Sequence, residues 1–399
     1  MKKTFLALAI FGVLNIALAK TELVVSYAYP WFKDLHEKLK EDFEKQNQDI
    51  KIKFLTPTQN YEDQSARLLR EKIINKLPDV SFNSYSYLAT LVNKNIPKDL
   101  TQNLINKKEL GFNDNAFKAT TLENKIYAIP FASSLPVVYY NMDLVKQAKW
   151  NKELPKTWEE IFDLAQKINL LEGKNGVYFG ETDTWLILAL SLQRGGKLIN
   201  EKGKVDFSQE AWQETFKLLS DFHTLAKMPA IKRSEAISAF YAGNLGILIQ
   251  TSAALSQTEK SINFPLKISQ FPGMKPGGEL PVGGSVVMLT NDKNKEAALK
   301  YIHFVTGEAN AYVPQYTGYM TSNFLANAKL QDFYDKNYNH TIAPSQINLM
   351  GDWPSFPGDN ALKATNTLWN YAQKLLMGIS INYRDIAQEA QEEINLLLP

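Results

Sequence analysis

Apolar positions near the start of the chain recur with two alternating periods. Leu23-Val24-Val25-Ser26-Tyr27 is a compact apolar run of strand length. Phe32, Leu35, Leu39 and Phe43 follow at spacings of three and four, which predicts one buried helical face. Ile50-Lys51-Ile52-Lys53-Phe54 alternates apolar and charged residues, the pattern of a strand covered on one side. A second helical stripe runs through Leu68, Leu69, Ile73 and Ile74, and Asp79-Val80-Ser81-Phe82 predicts the next strand. A β-α-β-α-β order implies parallel pairing, with the helices crossing over the sheet. Open sheets of this kind take ligands beyond the carboxyl ends of their strands. Those ends lead here into residues 28–31, 56–61 and 83–87, predicted as loops and rich in aromatic and neutral hydrogen-bonding side chains.

A second α/β region begins near residue 135. Pro136 to Tyr140 predicts a strand, and Thr157-Trp158-Glu159-Glu160 reads as a capping box opening a helix through Ile161, Phe162, Ala165 and Ile168. Helices follow around Trp212 to Phe222 and Ser234 to Tyr241, then a buried strand at Leu245 to Ile249. Strands are predicted at Lys267 to Gln270 and Ser285 to Thr290, separated by a Gly/Pro-rich stretch, and a helix carries Ala298, Tyr301, Ile302 and Val305. The tail is helical, with one stripe of Leu362, Thr365, Leu368, Ala372 and Leu375 and another of Tyr383, Ile386, Ala390 and Ile394. No repeat, low-complexity segment or flexible linker interrupts it. Two α/β lobes without a linker imply a chain that crosses between them more than once.

Composition narrows the function classes. The 399 residues are 45 % hydrophobic, 22 % charged and 12 % aromatic, enough for two globular domains and too apolar for a disordered chain. The absence of cysteine excludes a thiolate nucleophile, a zinc ribbon, an iron–sulfur site, a disulfide scaffold and a lipid-modified N-terminal cysteine. Residues 1–19 read as a signal peptide: Lys2 and Lys3 are the positive end, Phe5 to Leu14 the apolar core, and Ala17-Leu18-Ala19 the cleavage pattern. The apolar run is short for a hydrocarbon core of about 30 Å, which argues against a retained anchor. Export without a lipid-attachment cysteine points to the periplasm. Lys2 and Lys3 account for the whole formal charge of +2, so a chain without its leader is neutral. A non-specific nucleic-acid binder needs surplus cations to displace phosphate counterions, so no nucleic-acid partner is expected.

Signals for catalysis are thin. His36, His223, His303 and His340 are widely separated, and the first, second and third of these sit in predicted helices as surface or partly buried structural residues. The chain has no HExxH, GxSxG or P-loop motif, and Gly283-Gly284-Ser285 lacks the spacing of a phosphate-binding glycine fingerprint. A glycosidase needs two carboxylates facing across a cleft. Glu62-Asp63 and Glu181-Thr182-Asp183 are the candidates, and solvated loop charge is the favoured reading. Aromatics point elsewhere. Tyr27, Tyr29, Trp31, Tyr61, Tyr85, Tyr87, Trp185, Tyr319 and Trp353 all fall in predicted loops or element ends. A ring face suits the C–H surface of a sugar or polyol, and a phenol or indole N–H adds a directed hydrogen bond.

Several segments resemble the extracellular solute-binding protein family 1, the substrate-binding subunits of ABC importers. Tyr127-Ala128-Ile129-Pro130-Phe131-Ala132-Ser133-Ser134 continues into Leu135-Pro136-Val137-Val138-Tyr139-Tyr140-Asn141-Met142-Asp143, and Leu154-Pro155-Lys156-Thr157-Trp158-Glu159-Glu160 follows. Phe240-Tyr241-Ala242-Gly243-Asn244, Pro281-Val282-Gly283-Gly284-Ser285 and Thr317-Gly318-Tyr319-Met320 agree in order and spacing. The resemblance implies a type II periplasmic binding protein with two α/β lobes joined by a multi-crossing hinge. The implied division is residues 20–132 plus 272–320 in one lobe and 133–271 plus 321–399 in the other. Crossings fall near 132–135, 270–272 and 320–323.

Among family members, the glycerol-3-phosphate-binding ones look most similar. Asn60-Tyr61-Glu62 matches their ligand-contacting Tyr, Ser134 their hinge Ser, Trp185 a Trp seven residues after Tyr178, and Gly283, Gly284 and Tyr319 further contacts. Thr251 and Ser252 sit where hydroxyl contacts are implied. Two positions depart: the glycerol-binding acidic residue falls on Tyr85, and the phosphate-binding Arg falls in Asp352-Trp353-Pro354-Ser355-Phe356-Pro357, where Trp353 is the candidate contact and no cation is present. Losing a bidentate guanidinium shifts the expectation from a phosphate dianion toward a neutral sugar or oligosaccharide. The expected partners are a small sugar, polyol or glycerol phosphate and an ABC permease with its ATPase subunits. The protein is expected to be a monomer without cofactor, metal ligands or catalytic residues. Three rivals stay open: a periplasmic glycan hydrolase, a ferric-ion binder of this architecture using one of Tyr139-Tyr140, and an adhesive or structural exported protein.

Overall fold

The computed structural model describes residues 20–180 and 184–399. The predicted leader and the acidic triplet Glu181-Thr182-Asp183 lie outside the described residues. β1 (Thr21–Ser26), α1 (Lys33–Gln46), β2 (Ile50–Phe54), α2 (Tyr61–Ile73), β3 (Val80–Ser84) and α3 (Tyr85–Asn93) follow the order the periodicity predicts. β1 pairs in parallel with both β2 and β3. A small hairpin, β4 (Thr121–Leu122) and β5 (Lys125–Ile126), precedes β6 (Ile129–Ser134).

After the single residue Leu135 the chain enters β7 (Pro136–Asn141), α4 (Met142–Gln147), α5 (Trp158–Asn169), β8 (Asn175–Phe179) and α6 (Trp185–Leu192). α7 (Glu210–Thr224), α8 (Arg233–Tyr241), β9 (Leu245–Thr251), α9 (Leu255–Ser261) and β10 (Leu266–Gln270) complete this region. The chain returns through β11 (Leu280–Pro281) into β12 (Gly283–Leu289) and α10 (Lys295–Thr306). A later short strand, β13 (Met350–Gly351), pairs with β11, and helices Ala361–Leu376 and Tyr383–Leu397 pack on α7.

Besides the two-stranded pairs β4-β5 and β11-β13, two larger sheets result among the described residues, in the orders β2-β1-β3-β12-β6 and β10-β7-β9-β8. β12 inserts antiparallel between β3 and β6, so residues from the middle and late parts of the chain sit inside the first sheet. One core gathers Leu23, Leu39, Phe43, Val80, Phe82 and Val287. The other gathers Val137, Ile161, Leu219 and Ile247 and extends to Tyr85, Leu88 and Val286 at the junction. An antiparallel bridge between Ser133 and Met320 ties the first passage between the sheets to a second strand of chain.

The capping box forms as its spacing predicts, with the Glu160 N–H donating to Thr157 Oγ1 and the Thr157 N–H donating to Glu160 Oε2. Several expectations are corrected. Residues 83–87 do not form a loop: Ser84 accepts the Ser86 N–H at 3.2 Å, capping α3 directly at the end of β3. Trp185 stands at an element end as expected, but the sequence pattern does not predict the helix it opens: α6 is buried on every side through Ser191, so it has no amphipathic period by which to be read. In the first tail helix Leu362 is exposed and the buried face runs instead through Ala364, Leu368, Ala372 and Leu375. His36 is fully buried among Tyr27, Phe82 and Phe131, with ring centroids 4.0, 4.7 and 5.6 Å away. Among the described residues no helix is long and apolar enough to cross a membrane.

Candidate functional site

A cavity of about 390 Å³ opens where the two sheets meet. From the first sheet it takes Tyr29 beyond β1, Asn60, Tyr61 and Glu62 at the start of α2, Ser84, Ser86 and Tyr87 at the β3–α3 junction, and Gly283 and Gly284 at the start of β12. The second sheet contributes Thr251 at the end of β9 and Trp185 at the start of α6. Ser134, at the end of β6, and Tyr319 and Trp353 complete the lining. Helices α2, α3 and α6 thus present their first turns to one space, which gives it a partial positive character favouring hydroxyl or anionic oxygens.

Glycine is needed at the floor. Gly284 has φ +100, and a Cβ there would lie 2.0 Å from the Ala132 carbonyl oxygen. A Cβ on Gly283 would come within 2.8 Å of Ser134 Oγ and 3.2 Å of the Trp185 ring. The backbone of β12 therefore approaches both the hinge serine and the indole. Trp185 is 5 % exposed, and its Nε1 donates to the Pro281 carbonyl oxygen at 2.9 Å. Its ring joins the wall of the cavity while its N–H is committed to the backbone. Burial, with Tyr319 and Tyr29 alongside, pushes the Tyr61 phenol well above its ordinary pKa, so it stays protonated and able to donate.

The cavity brings together Tyr61, Ser134, Trp185, Thr251, Gly283, Gly284, Tyr319 and Trp353. Two other predicted contacts lie behind its wall. Tyr85 is buried, with its hydroxyl 3.0 Å from Ser133 Oγ, which in turn is 2.6 Å from Ser322 Oγ. Ser252 is buried, and its Oγ accepts the Leu135 N–H at 3.2 Å. Both hydroxyls serve the junction between the sheets, where Ser133 and the Leu135 N–H are their partners.

Tyr29 and Tyr87 line the cavity too, and their only sequence signal is an aromatic just past a strand end. Ser84 and Ser86 fall in the 83–87 stretch read as facing the ligand, but nothing singles out either serine, because serines at a strand end look like any turn. Among the described lining residues Glu62 is the single charged side chain, and it is exposed. Tyr139 and Tyr140 point to opposite faces of β7 and both are buried there, donating to the Thr251 carbonyl oxygen and sharing a bond with Ser269 Oγ respectively. Neither reaches the cavity, which removes the basis of the iron reading. Asp352, beside Trp353, is exposed as a residue; partial desolvation of its carboxyl first, and then Glu279, raises its pKa.

A family model described as a bacterial extracellular solute-binding protein matches residues 38–342. The chain belongs to the bacterial extracellular solute-binding proteins. It is a periplasmic solute-binding protein of the kind that serves ABC importers. The sn-glycerol-3-phosphate-binding periplasmic protein UgpB of Rhizobium meliloti is 28 % identical over 256 residues, 58 % of each chain. Among solved structures, the cyclic alpha-maltosyl-1,6-maltose binding protein of Arthrobacter globiformis superposes with a TM-score of 0.82 at 18 % identity, covering 95 % of this chain and 99 % of that one. UgpB of Mycobacterium tuberculosis, in complex with glycerophosphocholine, superposes at 0.81 and 16 % identity, covering 95 % and 98 %. These structures share the fold of this solute-binding protein, and the Rhizobium meliloti and Arthrobacter globiformis proteins are both named as binding proteins.

Proposed function

We propose that the protein captures an uncharged or weakly charged, hydroxyl-rich solute (a sugar, a polyol or a glycerol-phosphate-like compound) between two lobes and hands it unaltered to its permease. The lobes are residues 20–132 plus 272–320 and residues 133–271 plus 321–399. Leu135, alone between β6 and β7, and the Ser133–Met320 bridge support hinge crossings at 132–135 and 320–323. Closure is favoured because the closed cleft adds contacts from the second lobe that the open one lacks.

The observation that carries this reading is the cavity wall. Tyr29, Tyr61, Tyr87, Trp185, Tyr319 and Trp353 offer rings, and Ser84, Ser86, Ser134 and Thr251 offer hydroxyls. No Lys, Arg or His stands among its described residues, so a phosphate would depend on the three helix starts and on hydroxyl donors alone. Names among the relatives span both chemistries, sn-glycerol-3-phosphate and maltosyl sugars. One exposed carboxylate does not make an acid pair, which favours release of the solute unchanged. The protein works as a monomer without a cofactor.

The test is a thermal-shift series on ligand-stripped, refolded protein with maltose, maltotetraose, glycerol, glycerol 3-phosphate and glycerophosphocholine. A specific solute at a hundredfold excess over its Kd stabilises the fold by about 2.7 kcal/mol. A flat response to all five, or chromatography showing the solute altered, overturns the reading.

A further inference from the structure

Tyr29 adopts φ 65 and ψ 106, outside the regions open to a bulky L-residue. The other non-glycine residues with positive φ among those described, Asn75, Asn95, Glu123, Asn124, Lys149 and Lys227, are polar and exposed. Tyr29 is aromatic, half-buried and at the cavity wall. It also precedes Pro30, whose ring further restricts the backbone of the residue before it and favours an extended ψ there. Such a conformation costs roughly 1–3 kcal/mol and persists only where the surroundings impose it.

The surroundings do impose it. The Tyr29 N–H donates to the Thr58 carbonyl oxygen at 2.7 Å, and the Tyr29 carbonyl oxygen accepts the Phe32 N–H at 3.0 Å. Ala28 bridges Thr58 in parallel, extending the β1–β2 pairing to the point where proline ends it. Regular extension would put residue 29 on the same face as Tyr27, which points into the lobe core against His36 and Phe54. The Tyr29 ring instead packs on the outer edge of that core, with the buried Phe32 ring 6.5 Å away, and its other surface lines the cavity. It stands edge-on to Tyr61, centroids 4.8 Å apart at 83°, with the exposed Trp31 ring 5.3 Å away on its other side.

We propose that Tyr29 is a specificity-determining contact for the solute: its backbone is held in an unfavourable conformation so that its ring, packed on the edge of the lobe core, forms a wall of the cleft. The proposal rests on the cleft being the capture site and adds a residue whose placement there is bought with folding stability. The ring offers a flat apolar face, which suits the C–H side of a pyranose or of a glyceryl chain.

The experiment uses the full mature chain with Tyr29→Phe, Tyr29→Ala and Tyr29→Gly, urea denaturation, and calorimetric titration with maltotetraose and glycerophosphocholine. With a solute that binds the parent protein, Tyr29→Phe is expected to bind within threefold, and the Ala and Gly variants at least tenfold more weakly. The Gly variant should unfold at a higher urea concentration than the Ala variant, reversing their ordinary order, because only glycine accepts this φ freely. Parent-like binding by the Ala or Gly variant overturns the contact. A Gly variant no more stable than Ala overturns the strain on which the argument stands. Failure of the parent protein to bind either solute is a different result: it strikes the capture reading for these solutes, and this proposal falls with it.

Discussion

Trp185 Nε1 donates to the carbonyl oxygen of Pro281 across 2.9 Å, joining the first turn of α6, beside the second sheet, to the segment that enters β12 of the first. The indole therefore has two tasks, a packed and bonded edge and a face turned to the cavity. Substitutions at this residue separate them.

Trp185→Phe keeps a ring and loses the N–H. It should cost about 1 kcal/mol of stability and leave much of the solute binding. Trp185→Ala empties a nearly buried site and should cost roughly 3–5 kcal/mol as well as most of the affinity. Urea denaturation alongside titration with the solute that binds the parent protein measures both.

Tyr85→Phe removes the hydroxyl that faces Ser133 Oγ at 3.0 Å and nothing that lines the cavity. The expected result is a loss of about 1 kcal/mol of stability with solute affinity changed less than twofold. A tenfold loss of affinity in titration would show that closure brings this phenol to the solute.

Gly284→Ala places a methyl group 2.0 Å from the Ala132 carbonyl oxygen at φ +100. Backbone strain and overpacking each cost roughly 1–3 kcal/mol, so the thermal midpoint should fall by many degrees. Binding should weaken as well, because β12 has to move away from Ala132 and carries the cavity floor with it. A stable variant that binds like the parent would show that β12 can shift without cost.

Burial lowers the His36 pKa from 6.5 to about 3. Between those values the unfolded chain takes up a proton that the folded chain refuses. Stability from this residue is therefore complete above about pH 6.5 and is lost as pH falls toward about 3. At pH 5 the loss is roughly 2 kcal/mol. Urea melts at pH 7 and pH 5 should show His36→Phe losing less stability on acidification than the parent protein by about that amount.

Much of the architecture was legible because its signals are local. The alternation in Ile50 to Phe54 and the three-and-four spacing of Leu35, Leu39 and Phe43 reappear as β2 and as the buried face of α1. Thr157 and Glu160 form their cap because both partners lie within one turn. Where a segment has no polar side to mark its period, as in α6, the same reasoning had nothing to read. Tyr85 and Ser252 show a second limit. Each is one residue away from a position that lines the cavity, and a hydroxyl at an element boundary does not reveal whether it turns inward to Ser133 and Leu135 or outward to a solute.

Periods, caps and the two α/β regions follow from the order of residues, because those interactions span a few positions of the chain. The cleft does not. Its walls depend on β12 settling between β3 and β6, which sets Gly283 opposite Ser134 and within reach of the Trp185 ring. Those pairings join residues far apart in the chain and are chosen by the packing of the whole sheet. The placing of Tyr29 at the cleft wall is of the same kind: Thr58 and Pro30 impose its backbone jointly, and no pattern of apolar and polar residues encodes a positive φ at a tyrosine.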